Sequence, residues 1–357
     1  MKEPQIVITQ EFLGLISEID EFKGRWQSLT SLSPERLGRL RQVATIESIG
    51  SSTRIEGSKL TDSQVEELLG VVNITSFKSR DEEEVAGYAE AMDVVFQAHT
   101  EMPITENHIK QLHQMLLRHS TKDVRHRGSY KTLPNNVVAK DENGNVVGVV
   151  FETATPFDTP REMENLVRWV NKAIDEKALH PLLIAAVFIV SFLAIHPFQD
   201  GNGRLSRILT TLALLRFGYV YVPYSSLESV IEDNKELYYR GLRRTQTSLK
   251  SEDPDWEPWI GFFLRCLKRQ KDNLSIKIER EKGFDERHLP ELSARVLELL
   301  RVHGRLTISE FVSITGANQN TLKVRLRELV ESGRIERLGK ARATWYVLKS
   351  GDDSLVG

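Results

Sequence analysis

The longest apolar stretch of the chain, LLIAAVFIVSFLAI, covers residues 182–195 and is followed by a proline at position 197. A bilayer-spanning helix needs about 20 apolar residues, so this shorter stretch predicts a buried central helix. A second helical pattern, RLSRILTTLALLRFG, ends at Gly218, and glycine is typical of a helix C-terminus. The two patterns predict a helix-loop-helix arrangement, with a short loop around position 200.

The pattern on both sides of this pair is also mostly helical. In the first hundred residues the segment QVEELLGVV has helical apolar spacing, and either Thr61 or Asp62 can cap its N-terminus. The segment VVAKDENGNVVGVV differs, because its valine-rich arms flank Asn143 and Gly144, a pair typical of a tight hairpin turn. One short hairpin in a helical domain predicts a flap.

The C-terminal pattern stands apart from the rest. We interpret the charged stretch KIEREKGFDERH as a linker. After it, LSARVLELLRVHG, TISEFVSITG and NQNTLKVRLRELVESG predict three helices, and RIERLGKARATWYVL predicts a two-stranded wing. The predicted fold is therefore mainly α, with an N-terminal helical region at 1–100, a helical core at 101–280 and a winged helix-turn-helix domain at 286–349.

Composition narrows the setting of the protein. The chain has 357 residues, 40% of them hydrophobic, which is enough for a large core and an appended module. Its single cysteine, Cys266, lies in an apolar helical pattern and excludes an intramolecular disulfide. The first residues include acidic side chains where an export signal would be basic. We therefore expect a cytoplasmic protein that does not enter a membrane.

The loop between the two central helices, within IHPFQDGNGRLSR at 195–207, has the residues of an anion-binding site. The backbone N–H groups of Gly201, Asn202 and Gly203 precede a helix, and a helix N-terminus attracts negative charge. Arg204 and Arg207 lie about one turn apart, so both guanidinium groups can bind the same phosphate chain. A polyphosphate is the expected ligand.

Two further residues of the loop add chemistry to this anion site. The Asp200 carboxylate would repel a bare phosphate, but it suits a bridging Mg²⁺ ion. His196 is the nearby group that can accept a proton near neutral pH. Together they predict proton transfer next to a metal-bound polyphosphate.

The stretch resembles the HPFx[D/E]GNGRxxR motif of the Fic family at every fixed position. The resemblance extends over roughly residues 40–270 and includes GSYKTLPNNVV, DNKELYYRGL and DWEPWIGFFL. Lys131 stands where many relatives carry arginine, so the contact made there is open.

The resemblance implies a protein adenylyltransferase, which moves AMP from ATP to a Tyr, Thr or Ser hydroxyl of a target protein. It implies that His196 is the base, that Asp200 holds Mg²⁺ and that Gly201, Asn202, Gly203, Arg204 and Arg207 bind phosphate. It also implies that the hairpin aligns the target by strand addition. Asn234, Tyr238 and Tyr239 are candidates for the adenine pocket, although an aromatic pair on a helix also suits a core.

A second motif, SSTRIEG at residues 51–57, resembles the inhibitory motif [S/T]xxxE[G/N] that some Fic proteins carry. Ser52, Glu56 and Gly57 stand at its fixed positions. The resemblance implies that Glu56 pairs with Arg207 and holds ATP in an unproductive pose. The alternative is an ordinary glutamate before a glycine that ends a helix.

The sequence of the C-terminal module does not decide whether it binds DNA or protein. Residues 285–349 contain 12 Lys or Arg and 8 Asp or Glu, a small excess for a DNA-binding module. We therefore favour protein docking or self-association, which includes a homodimer, over DNA binding. The alternative functions are a DNA-binding regulator with the Fic core as nucleotide sensor, and removal of AMP by the same site.

Overall fold

The computed structural model describes residues 3–28, 34–70, 77–140, 146–287, 290–339 and 344–349. These residues form two compact units, one of residues 3–28 and 35–274 and one of residue 34 and the described residues from 275 onwards. Helices dominate in the described ranges, which confirms the predicted mainly α fold. None of the helices there combines the length and apolar character that a membrane span requires.

The first eleven helices follow in chain order from the N-terminus. They are α1 (Gln10–Ser28), α2 (Pro34–Ile55), α3 (Asp62–Leu69), α4 (Arg80–Ala98), α5 (Glu106–Leu116), α6 (Thr159–Asp175), α7 (Pro181–Ile195), α8 (Asn202–Arg216), α9 (Leu227–Asp233), α10 (Lys235–Ser248) and α11 (Glu257–Arg287). A 3₁₀ helix at Val222–Tyr224 precedes α9. Thr61 caps α3 through a reciprocal capping box with Gln64, which decides between the two predicted caps.

Helix α7 is the predicted central helix. All of its residues except Pro181 and Ala194 are buried, because its apolar side chains face packing partners on every side. It packs against α6 and α8, and α8 in turn contacts α4 and α5. This helical core supports both ends of the loop that joins α7 to α8.

The predicted hairpin is present as an antiparallel pair, β1 (Val137–Lys140) and β2 (Val146–Phe151). Val138 lies opposite Val149, and Ala139 lies opposite Gly148. The predicted turn residues Asn143 and Gly144 lie outside the described residues.

In its described residues after α11, the second unit contains three helices and three strands. They are α12 (Glu291–His303), β3 (Arg305–Thr307), α13 (Ile308–Thr315), α14 (Gln319–Glu331), β4 (Ile335–Leu338) and β5 (Trp345–Leu348). The strands form an antiparallel sheet in the order β3-β5-β4, and Phe311, Leu322 and Leu326 lie in the core beside it. This order of elements agrees with the predicted winged helix. The sequence did not predict β3, because three residues are too few for a strand pattern.

The prediction of a linker at KIEREKGFDERH is wrong. Its residues up to 287 belong to the long helix α11 and not to an irregular segment. Lysine, glutamate and arginine are good helix formers, so a charged stretch with few apolar residues still continues a helix.

Candidate active site

The loop that joins α7 to α8 turns sharply at two residues with left-handed backbone. His196 has φ 53° and ψ 60°, and Gly201 has φ 79° directly before α8 begins. A left-handed conformation costs little for glycine but is strained for histidine, so the surroundings must hold His196 in place. The predicted helix-loop-helix turn is confirmed.

Two asparagine side chains, the buried Asn202 and the half-buried Asn135, fix the shape of this loop. Asn202 accepts the Phe198 N–H at 2.9 Å and donates to the Phe198 carbonyl oxygen at 2.6 Å. Asn135, which precedes the hairpin, donates to the carbonyl oxygens of His196 at 3.2 Å and Phe198 at 2.6 Å. The side chain of Asn202 therefore holds the loop. Its backbone N–H is then the group that can make the predicted phosphate contact.

His113 on α5 also supports the loop, through contacts with Asp200 and Phe198. The sequence did not predict this role. The Gly128 N–H donates to its Nδ1 at 2.8 Å, so its Nε2 carries the proton and donates to the Asp200 carbonyl oxygen at 3.0 Å. Its ring stacks on Phe198 with centroids 3.8 Å apart. Burial lowers the pKa of His113 to about 4, which keeps it neutral at pH 7.

His196 is oriented as a proton acceptor. Its Nδ1 lies 3.3 Å from the Leu193 carbonyl oxygen. Because a carbonyl only accepts hydrogen bonds, Nδ1 carries the proton and Nε2 keeps its lone pair. Burial, assisted by the nearby charge of Lys131, lowers the pKa of His196 to about 4. The imidazole is therefore in its basic form at neutral pH.

Asp200 belongs to a ring of four alternating charges. Its Oδ2 lies 2.8 Å from Arg80 Nη2 and its Oδ1 lies 3.4 Å from Arg204 Nη2, while Glu84 joins the two arginines at 2.8 and 2.9 Å. Burial alone would raise the pKa of Asp200, but Arg204, the Gly201 N–H and Arg80 outweigh it and hold the pKa below its ordinary value. The carboxylate is ionised, and Glu84 positions Arg204.

Arg207 is buried and bound by the C-terminal end of α2. Its Nε donates to Ser52 Oγ at 2.7 Å, and its Nη2 donates to the Ser52 carbonyl oxygen at 2.9 Å and to Glu56 Oε1 at 2.8 Å. Burial would raise the pKa of Glu56, but the Arg207 charge overcomes it and holds the pKa below its ordinary value. Gly57 follows in a left-handed turn with φ 108°.

The Glu56 carboxylate also lies against the first turn of α8. A Cβ atom added to Gly203 would lie 2.1 Å from Glu56 Oε1, so the contact needs glycine at this position. A carboxylate thus lies at the helix N-terminus, where the sequence predicts a phosphate.

Comparison with known proteins assigns the family. A model of the Fic/DOC family matches residues 103–214, which include the whole loop. The crystal structure of a Fic domain containing signaling protein from Bacteroides thetaiotaomicron is 30% identical, has a TM-score of 0.61 and aligns with 74% of this chain and 97% of its own. The chain belongs to the Fic/DOC family. A Fic family protein from Desulfovibrio desulfuricans aligns over 98% of both chains, with 26% identity and a TM-score of 0.61.

Curated relatives of this Fic chain carry an activity in their names. Protein adenylyltransferase Fic from Drosophila persimilis is 29% identical over 244 residues, and the protein of that name from Drosophila melanogaster is 28% identical over 240 residues. These matches cover about two thirds of this chain, which spans only 42% and 43% of the two relatives. Residues 280–344 match a family described as a bacterial protein of unknown function.

The predicted adenine residues of the Fic core differ in their positions. Asn234 follows directly after α9, and its side chain donates to the Val230 carbonyl oxygen at 2.8 Å. Tyr238 is buried against Trp259, which fits the core alternative, whereas Tyr239 is 40% exposed and packs edge-on against Tyr238. Tyr239 is therefore the more accessible of the two rings.

Lys131, the departure from the Fic pattern, ties the hairpin to the loop. Its buried Nζ donates to Asn135 Oδ1 at 2.7 Å, to Thr153 Oγ1 at 3.0 Å and to the Ile195 carbonyl oxygen at 3.0 Å. Burial lowers the pKa of Lys131 to about 8. One ammonium group thus joins both ends of the flap to the residue before His196.

Proposed function

We propose that this chain is an autoinhibited protein adenylyltransferase, which moves AMP from ATP to a hydroxyl group of a target protein and of itself. The observation that carries the proposal is the neutral His196, held on the same short loop as the anion-binding N-terminus of α8. The names of the curated relatives support the same activity.

The phosphate chain of ATP would bind at the first turn of α8. Gly201 caps this helix and the N–H groups of Asn202 and Gly203 lie in its first turn, where the helix dipole favours negative charge. Arg204 and Arg207 follow on the same helix, and both side chains are almost fully buried. Fixed cations in a site of low polarity bind phosphate more strongly than exposed ones.

Asp200 is the residue that would hold Mg²⁺. Mg²⁺ is commonly bound through one or two carboxylates together with phosphate oxygens, and Asp200 is a partly exposed, ionised carboxylate beside the anion site. Arg80 must first leave its Oδ2 atom. When bound, the ion would neutralise charge on the α- and β-phosphates.

His196 would act as the general base. The oxygen of the target hydroxyl forms a bond to the α-phosphorus, and the bond from that phosphorus to the diphosphate oxygen breaks. The hydroxyl proton passes to Nε2 of His196, and diphosphate leaves with the bonding electron pair. Because positioning and charge stabilisation account for most of the rate, the rigid loop is the main catalytic device.

The flap would align the target. An extended segment adds as a strand through main-chain hydrogen bonds, which explains how Tyr, Thr and Ser side chains can all be presented. Lys131 connects this flap to the His196 loop, so the target backbone and the base keep a fixed separation.

Glu56 would inhibit the reaction by taking the place of a phosphate. Its carboxylate lies over Gly203 and binds Arg207, the cation expected to bind the γ-phosphate. ATP that enters beside it cannot place its γ-phosphate there, so its α-phosphate is displaced from in-line geometry. For the alternative function, removal of AMP by the same site, none of the contacts described above gives specific support.

The second unit would dock protein partners. On α14, Lys323 and Arg327 are exposed, but Arg327 pairs with Glu331 and Arg325 pairs with Glu328. This mixture of charges suits a protein surface better than a DNA backbone. Duplex DNA binding with a steep salt dependence would support the regulator alternative instead.

The test of this function is labelling of cell lysate with ATP labelled at the α-phosphate. We expect Glu56→Gly protein to transfer the label to itself and to specific targets, with a stoichiometric release of diphosphate. Mass spectrometry then identifies the modified hydroxyl. Label transfer from γ-labelled ATP in place of α-labelled ATP would show a kinase and overturn the proposal.

A further inference from the structure

Arg54 lies two residues before Glu56 and connects the end of α2 to two other segments. Its Nε and Nη2 atoms donate to Oε1 and Oε2 of Glu232 on α9 at 2.7 and 2.9 Å. Its Nη1 atom donates to Asp62 Oδ1 at 2.8 Å and to the Leu60 carbonyl oxygen at 3.1 Å. One side chain thus supplies four bonds from the inhibitory helix.

The contact between Arg54 and Glu232 is a bidentate, half-buried ion pair. The guanidinium binds both oxygens of Glu232, a two-point geometry that fixes direction as well as distance. Both side chains are mostly shielded, with 23% and 28% exposed. A Cβ atom on Gly50 would lie 2.5 Å from Asp62 Oδ1 and 2.7 Å from Arg54 Nη1, so Gly50 leaves room for the contact of Arg54 with Asp62.

The position of Arg54 relates it to Glu56. Residues two apart in a helical turn point to different sides, so Arg54 can bind α9 while Glu56 binds the first turn of α8. The last turn of α2 is therefore held from two sides. Glu232 lies on α9, two residues before Asn234, the predicted adenine contact, so the anchor and this candidate nucleotide residue lie at the same end of one helix.

We propose that Arg54 is a positioning residue for inhibition: its pair with Glu232 holds the end of α2 where the Glu56 carboxylate reaches Arg207. The inference rests on the proposed autoinhibition and adds its regulation. A nucleotide or protein partner that shifts α9 away from α2 releases Glu56 without touching Glu56 or Arg207. Inhibition and the geometry of the nucleotide site are thereby coupled through one ion pair.

The test compares Arg54→Met, Glu232→Gln and their double variant with wild type and with Glu56→Gly, in the full-length chain. We expect each single variant to raise self-AMPylation about twofold to tenfold, below the gain from Glu56→Gly. The double variant gains no more than Arg54→Met alone, because Glu232→Gln changes a contact that the loss of Arg54 has already removed.

Hydrogen exchange gives a second readout that does not depend on catalysis. The N–H groups of Glu56 and Ser58 bond to the Thr53 carbonyl oxygen, and the Gly57 N–H bonds to that of Arg54. We expect these amides to exchange faster in both single variants, because the helix end loses its anchor. Arg168→Met, which removes an exposed arginine paired with Glu164 on α6, is the matched control and changes neither readout.

The outcomes separate the two proposals. If Glu56→Gly activates while Arg54→Met and Glu232→Gln keep wild-type labelling and exchange, the positioning role is overturned and the proposed function stands. If Glu56→Gly does not activate, the proposed autoinhibition fails. In that case hydrogen exchange alone tests whether Arg54 and Glu232 anchor the end of α2. Unchanged exchange rates at residues 56–58 in both single variants overturn this role. Glu232→Gln retains side-chain shape, and thermal melting monitors the fold of each variant.

Discussion

Arg207 and Glu56 are 151 positions apart in the sequence, yet Nη2 of the arginine and Oε1 of the glutamate lie 2.8 Å apart. The arginine side chain is 3% exposed and the glutamate side chain 34% exposed, so water reaches one side of the pair. The pair joins the end of α2 to the first turns of α8. A carboxylate that water can reach and that binds a buried cation is suited to displacement by a stronger anion.

His196→Ala should abolish AMP transfer and leave ATP binding intact. The substitution removes the lone pair on Nε2, and loss of a general base costs about a hundredfold to ten-thousandfold in rate. The measurement is label incorporation in the Glu56→Gly background, with nucleotide affinity from calorimetry as the control. Incorporation equal to that of Glu56→Gly alone would refute the role of His196.

Acid should destabilise the first unit between pH 6.5 and 4. The pKa of buried His113 is about 4 in the folded state, well below the ordinary value of 6.5 for histidine, so the unfolded chain binds the extra proton in this range. Stability is full above pH 6.5 and falls as the pH drops towards 4, with a contribution of about 3 kcal/mol from this residue.

Urea unfolding at pH 7 and pH 4.5 measures this effect. We expect His113→Gln to be less stable than wild type at pH 7, because it loses one of two hydrogen bonds, but to lose less further stability at pH 4.5. His108→Gln, on the same helix but less buried, serves as the control. Parallel losses in wild type and His113→Gln would contradict the assignment.

Asn202→Ala should destabilise the loop even without nucleotide. Its buried amide makes two hydrogen bonds to the Phe198 backbone, and removal leaves a buried N–H without that partner. We expect the free energy of unfolding to fall by about 2 kcal/mol. Asn171→Ala removes an amide that also makes two bonds to backbone oxygens, at Ile104 and Val167, and controls for the loss of a helical asparagine. A change within 0.5 kcal/mol, the range of neutral surface substitutions, would contradict the structural role of Asn202.

A chain that ends after residue 287 should remain folded and able to modify itself. The residues of the predicted catalytic site all lie in the first compact unit, and α11 ends at Arg287. Labelling of targets in lysate should fall, because the proposed docking unit is lost. An insoluble product, or an unchanged set of labelled targets, would count against the docking role.

The loop chemistry was predictable from sequence because its residues are contiguous. Glycines, arginines and the histidine lie within one helix-loop-helix, so their spacing alone brings them together. The Glu56–Arg207 contact was different, since no local pattern joins positions 151 apart and only the Fic resemblance pointed to it.

The supporting residues were not predictable in the same way. Glu84, Arg80 and Asn135 act through tertiary contacts, and on their own helices or loops they look like ordinary polar residues. His113 left one signal, because it lies on the buried face of α5 with Ile109, Leu112 and Leu116. A histidine on an apolar face needs partners for both ring nitrogens, and here they are the Gly128 N–H and the Asp200 carbonyl.

The most direct test of the account is self-AMPylation of Glu56→Gly and of Glu56→Gly with Arg207→Ala, at saturating MgATP. Removal of the carboxylate frees Arg207 for the γ-phosphate, so the single variant should incorporate AMP well above wild type. The double variant should be as inactive as Arg207→Ala, because removal of Glu56 restores activity only if Arg207 is present to bind the γ-phosphate. A Glu56→Gly protein no more active than wild type, or a double variant that keeps the gain, would contradict the account.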